Sequence, residues 1–171
     1  MKIYLIRHSN AVDPGTPEYD DDSQRPLTEK GRGKMQKIAS ALKGLDVKPD
    51  LIVSSPYVRS RQTAEILAKG LRYKKELVFS DTIVPMGKAD EIIGEINEKY
   101  HVDELVLVGH EPCFSMLIGT LTAGNPDLTI NLKNGSVCCL SADDLRTDRK
   151  AVMEWLLSPK ILTELSQAYE R

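Results

Sequence analysis

"KIYLIRHS", residues 2–9, follows its lysine with four strand-forming residues and closes on an arginine, a histidine and a serine. The run shows no polar–apolar alternation, the pattern of a strand covered on both faces. Working outward, "DLIVS" (50–54), "ELVFS" (76–80) and "ELVLVG" (104–109) repeat that texture, and all four read as central parallel strands. Helix-period segments lie between them. Met35, Ile38, Ala39 and Leu42 fall at i, i+3, i+4 and i+7, with Gly44 as the stop. Residues 56–70, 90–99 and 112–122 behave alike, with Ile92, Ile93 and Ile96 as an inward face. Two further strands are expected near 136–140 and 151–157, then a helix from about Pro159. Alternation of this kind predicts an α/β fold: one domain over residues 1–171, with a mostly parallel central sheet of about five or six strands and helices on both faces.

One stretch has no element of its own, "DPGTPEYDDDSQRP" at 13–26. A loop that long inside a compact domain is usually functional or mobile, and this one directly follows the Arg-His pair.

Composition narrows the function classes. The chain has 171 residues, 41% hydrophobic and 28% charged, with a net charge of −2. A slightly acidic surface attracts neither nucleic acid nor an anionic membrane, so neither is expected as a partner. No apolar run approaches the roughly 20 residues that span a bilayer. The N-terminus reaches charge too early for a secretory signal, which points to the cytoplasm. Three cysteines, Cys113, Cys138 and Cys139, show neither paired nor zinc-ligand spacing and read as small core residues.

In an open α/β sheet, ligands bind beyond the carboxyl ends of the strands. The first strand delivers Arg7 and His8 there, the second runs into "SSPYVRSRQT" (54–63), and the fourth ends in "GHEP" (109–112). Ser55 reads as an N-cap and Pro56 as the first helical residue, which puts Arg59 about one turn in. Helical side chains lean toward the N-terminus, so Arg59 reaches back over the strand ends while Arg61 faces solvent. His110 sits between a glycine turn and a helix-opening proline.

Taken together, "IRHSNA", "RPLTEKG", "SSPYVRSRQTAE" and "VLVGHEP", in that order from Lys2 through His110, resemble the histidine phosphatase superfamily. That group is named for its Arg-His-Gly motif and includes phosphoglycerate mutases and acid phosphatases. The short chain and the wording of "RPLT…G" and "SPYVRSRQT" are most similar to its SixA-type phosphohistidine phosphatases, which remove phosphate from histidine on phosphorelay proteins. The resemblance implies His8 as nucleophile, Arg7 and Arg59 as phosphate clamps, and His110, if protonated, as a third donor. Arg25 is a candidate for holding a substrate group across the pocket, with a surface role as the alternative. Ser9 stands where the family has glycine. It keeps a backbone N–H but adds a side chain beside the phosphate, which would slow turnover if the glycine supplies space or a positive φ.

These residue types suit the chemistry. A transferring phosphoryl group spreads negative charge over its oxygens, so catalysis is mainly positioning and electrostatic stabilisation. Guanidinium forks bind it bidentately, and two of them beside His8 favour the neutral imidazole that can attack. No metal or other cofactor is implied. The implied partners are a phosphorylated protein, such as a histidine phosphotransfer domain, or a small phosphomonoester. Phosphomonoester members protonate the leaving alcohol from a carboxyl after the third strand. Asp81 lies near that place, but its spacing to Gly87 differs from the mutase pattern, which favours phosphohistidine.

Competing phosphatase and nucleotide motifs fail. Six positions after Cys113 stands Gly119, so there is no Cys-x5-Arg loop. The acidic run at 20–22 follows no buried strand and reads as a solvated loop. A Gly-x4-Gly-Lys-Ser/Thr loop is absent, as is a Rossmann site. A small-molecule phosphatase of the same superfamily, or a phosphate-binding module with little turnover, stays open beside the phosphohistidine reading.

Overall fold

The apolar runs become strands of one sheet in a computed structural model that describes residues 1–145 and 151–169. In chain order the elements are β1 (Lys2–Arg7), α1 (Glu29–Gly44), β2 (Leu51–Ser54), α2 (Val58–Gly70), β3 (Val78–Phe79) and α3 (Ala89–Lys99). Then follow β4 (Glu104–Gly109), α4 (Cys113–Ala123), β5 (Val137–Ser141), β6 (Val152–Leu157) and α5 (Pro159–Tyr169). The six strands lie in the order β3-β2-β4-β1-β5-β6. β3, β2, β4 and β1 are mutually parallel, whereas β5 and β6 add on antiparallel. The expected α/β architecture is the observed one.

Residue alternation explains why both faces are covered. Ile3 and Leu5 of β1 join Leu105, Leu107, Cys138 and Leu140 under α3 and α4. Tyr4 and Ile6 join Val106, Val108, Val137 and Cys139 under α1, α2 and α5. Adjacent strand residues point to opposite faces, so an unbroken apolar run fills two cores at once. Met35, Ile38, Ala39 and Leu42 are all fully buried on the inward side of α1. Thr28 caps that helix by accepting the Gly31 N–H at 3.0 Å. No helix among the described residues is long and apolar enough to cross a membrane.

Three local readings need correction. The run 76–80 does not form a central strand: β3 has two residues, lies at the sheet edge, and leaves Phe79 exposed. Gly44 is the last residue of α1, as expected, but it does not turn the chain. The left-handed residue is Asp46 (φ 61), and a Cβ on Gly44 would stand 2.2 Å from the Tyr169 ring, so close packing of α5 is what requires the glycine. The 13–26 loop does hold an element, a 3-10 turn at Asp22–Gln24, and its neck is paired. Ala11 bridges Leu27, and the Val12 and Thr28 N–H groups donate to the carbonyls of Pro26 and Asn10.

Candidate active site

Register brings the two histidines together. Arg7 pairs with Gly109 across β1 and β4, and the His8 N–H donates to the Gly109 carbonyl at 2.9 Å. The residues leaving each strand therefore emerge side by side, with the His8 and His110 ring centroids 5.1 Å apart. Both are buried, at the carboxyl edge of the parallel strands where α/β sheets bind ligands.

His8 has a defined tautomer. Its Nδ1 lies 2.7 Å from the Ser9 carbonyl, which can only accept, so Nδ1 carries the proton and Nε2 the lone pair. Arg59 Nε donates to that Nε2 at 3.2 Å. Burial pushes the His8 pKa down to about 3; the bond to Ser9 opposes the shift, and Arg59, Arg7 and Arg25 add to it. The ring is neutral at neutral pH, with burial rather than the arginines as the main cause.

Arg59 is the second residue of α2, which starts at Val58 behind an N-cap at Tyr57. The expected cap at Ser55 and first helical residue at Pro56 are thus displaced by two positions. Ser55 is used differently: its hydroxyl lies 2.8 Å from His110 Nε2, and Ser60 Oγ lies 3.2 Å from the same nitrogen. Burial pushes the His110 pKa down to about 2, with His8 and Arg59 next in weight. That corrects the picture of a protonated third donor. A neutral His110 offers one N–H.

Two buried nitrogens, Arg7 Nε and His110 Nδ1, have no hydrogen-bond partner among the described residues. Arg7 is held by its Nη1, which donates to the Leu132 carbonyl at 2.7 Å. Arg7, His8, Arg25, Arg59 and His110 all line one cavity of about 440 Å³. A buried guanidinium N–H without a partner is costly, and an anion supplies an acceptor for it; His110 Nδ1 donates likewise in the tautomer that carries its proton there. A neutral imidazole lone pair among guanidinium donors is what attack on phosphorus requires.

Several residues on or near this cavity escape a reading of the chain alone. Asp22, within the acidic run taken as solvated, accepts from both arginines: Arg59 Nη2 at 2.9 Å and Arg25 Nε at 2.8 Å. Arg25 lines the cavity but also donates to the Val12 carbonyl at 2.5 Å. Tyr57 lies 4.9 Å from the Arg59 guanidinium carbon and meets His110 edge-on at 5.0 Å. Glu111 is on the cavity wall, its carboxylate accepting from the Ser115 N–H at 3.0 Å. Asp81 is exposed and lines no part of the cavity. Spacing hints only at the pairing of Asp22 with Arg25, three positions apart; nothing local links Asp22 to Arg59.

Ser9 turns away from the cavity. Its buried hydroxyl donates to the Gly31 carbonyl at 2.8 Å, and its N–H donates to Thr63 Oγ1 at 3.2 Å. Thr63 in turn donates to the Arg59 carbonyl at 2.7 Å, and Gln62 accepts the Leu27 N–H at 2.8 Å. The motif "RSRQT" thereby ties α2 to the end of β1 and to "RPLT". Gly31 completes the contact, because a Cβ there would lie 2.1 Å from the Asn10 carbonyl oxygen. Among the described residues no group of three or more His, Cys, Asp or Glu side chains is placed to hold a metal ion.

Comparison with known proteins gives consistent matches. The model of the histidine phosphatase superfamily (branch 1) matches residues 3–81, which include Arg7, His8, Arg25 and Arg59. An uncharacterized protein of Picosynechococcus sp. is 32% identical over 168 residues, 95% of this chain and 99% of that protein. The phosphohistidine phosphatase SixA of Escherichia coli (strain K12) is 25% identical over 126 residues, 72% of this chain and 76% of SixA. Among solved structures, the protein histidine phosphatase SixA complexed with tungstate superposes with a TM-score of 0.81 at 22% identity. That match covers 94% of this chain and 98% of the solved one.

Proposed function

Because the chain belongs to the histidine phosphatase superfamily and is one of its hydrolases, we propose that it is a phosphohistidine phosphatase working through a covalent intermediate on His8. The observation that carries this reading is the fixed tautomer of His8, with Nδ1 on the Ser9 carbonyl and the Nε2 lone pair beside Arg59 Nε. In the first step Nε2 attacks phosphorus and the bond from phosphorus to the substrate imidazole breaks. That imidazole, protonated on its far nitrogen, leaves as a neutral molecule. Water then attacks phosphorus, the bond to Nε2 breaks, and inorganic phosphate leaves with the water's protons shared between phosphate and solvent. Arg7, Arg59 and His110 hold the phosphoryl oxygens, and Arg25 contacts the carrier of the phosphate.

The proposed substrate is a phosphorylated histidine phosphotransfer domain. The likeness to SixA and the exposed position of Asp81 away from the cavity support it. A small-molecule phosphomonoesterase is the second reading, favoured by Glu111, a carboxyl group on the cavity wall whose acid form would give its proton to the leaving alkoxide and become the carboxylate. The proposal extends to a cytoplasmic setting, where the three free cysteine thiols would stay reduced.

Turnover of a phosphorylated phosphotransfer domain is to be compared with that of alkyl and aryl phosphates. The expected result is a preference for the phosphoprotein, activity abolished by His8→Ala, and no change from Asp81→Asn. A preference for alkyl phosphates by orders of magnitude refutes the phosphohistidine reading, and full activity in His8→Ala refutes the mechanism.

A further inference from the structure

The guanidinium of Arg59 is engaged on two edges at once. Nη1 donates to the Asp22 carbonyl at 2.6 Å and Nη2 to the Asp22 carboxylate at 2.9 Å. Nε donates to His8 Nε2 at 3.2 Å. A guanidinium is rigid and planar, with one N–H on Nε and two on each Nη. Asp22 therefore takes the end-on fork formed by Nη1 and Nη2. The second Nη2 hydrogen shares its edge with Nε, so the side-on fork faces the nucleophilic nitrogen.

Asp22 is itself held. Its other carboxylate oxygen accepts from Arg25 Nε at 2.8 Å and pairs with Nη2 at 2.7 Å. Its backbone lies in the 3-10 turn that Asp21 caps by accepting the Ser23 N–H at 2.9 Å. Arg59 is 3% exposed while the Asp22 side chain is 52% exposed. The loop thus reaches in to grip a buried arginine from the solvent side.

We infer that Asp22 is a positioning residue: it fixes the outer fork of Arg59 so that the inner fork meets the phosphoryl group at His8, and it ties Arg25 to the same point. The inference rests on the reading of His8 as nucleophile. Its competitor is a carboxylate that merely occupies Arg59 until phosphate displaces it. The two predict opposite signs. A positioning residue, once removed, leaves Arg59 free to rotate, which weakens oxyanion binding and slows transfer. A competing carboxylate, once removed, tightens oxyanion binding.

The test measures tungstate affinity by calorimetry, and kcat and KM on p-nitrophenyl phosphate, for the full chain and its variants. Asp22→Ala is expected to lower kcat roughly 10- to 100-fold, the usual cost of losing a group that orients a catalytic one. Tungstate affinity should fall with it while the melting temperature holds. Asp22→Asn keeps an oxygen for Nη2 and should recover most of the loss. Asp21→Ala removes only the cap of the turn and leaves both arginine contacts of Asp22 in place, so it should cost clearly less than Asp22→Ala. Unchanged kcat or tighter tungstate binding in Asp22→Ala overturns the inference, as does an equal loss in Asp21→Ala. A wild type that binds tungstate but turns nothing over defeats the phosphatase reading alone, and the affinities of the variants still decide on Asp22. A wild type that binds no tungstate defeats both.

Discussion

Restoring the family glycine at position 9 should cost stability and leave catalysis alone. Ser9 has a negative φ, so its backbone does not call for glycine. Its hydroxyl donates to the Gly31 carbonyl at 2.8 Å in a fully buried setting. Ser9→Gly removes that bond, a net loss of about 0.5–1.5 kcal/mol. Added backbone freedom in the unfolded chain costs roughly 0.5–1 kcal/mol more. The sum is about 1–2.5 kcal/mol, which for a chain of this size lowers the melting temperature by roughly 2–10 °C. Ser9→Ala separates the two contributions, since it loses the hydrogen bond alone. Thermal unfolding and p-nitrophenyl phosphate turnover are measured on the same preparations. Turnover should stay within about twofold, because the hydroxyl points toward α1 rather than the cavity. A tenfold rise in kcat for Ser9→Gly with unchanged melting would refute this reasoning and make the serine an obstruction.

Gly31→Ala should be harsher, because the new Cβ would lie 2.1 Å from the Asn10 carbonyl and backbone must move. A loss of about 1–3 kcal/mol in unfolding free energy, measured by urea denaturation, is expected, with a fall in kcat as the segment after His8 shifts; normal activity would show that the contact relaxes elsewhere. Stability should also fall between pH 7 and pH 5. The folded pKa values of His8 and His110, about 3 and about 2, lie below the ordinary imidazole value of 6.5, so in this window these two side chains take up protons only in the unfolded chain. Their contribution is complete above the unfolded pKa and is lost as pH falls toward the folded values, by up to about 2 kcal/mol per histidine at pH 5. Urea midpoints that stay flat over this range, or that are equally steep in a His8→Asn, His110→Asn double variant, would contradict it.

What was legible in the chain follows from how local each signal is. β1 and β4 announced themselves because every one of their central residues is apolar, and both-face burial leaves no other pattern. The end of each strand then located Arg7, His8 and His110. α2 was misplaced by two residues because Ser55-Pro56 has the chemistry of a helix start, yet the serine hydroxyl serves His110. β3 looked central from composition, but edge position is a property of sheet order, which no window of sequence contains. Asp22 was hidden for the same reason: it meets Arg59 across 37 positions, in a loop whose acidity reads as solvation. The protonation of His110 depended on burial, which only the packed structure supplies.

The paired neck of the 13–26 loop has a bearing on how substrate preference can change. Ala11, Val12, Leu27 and Thr28 are joined across the base of the loop, and Gln62 holds Leu27 from the α2 side. Residues beyond the neck and before Asp22 can vary in length and character with little leverage on His8, since closing a somewhat longer loop adds only a fraction of a kcal/mol. The tip is an exchangeable part mounted on a fixed socket. On the proposed function, related chains can therefore diverge in what they recognise while Arg7, His8, Arg59 and His110 stay in register.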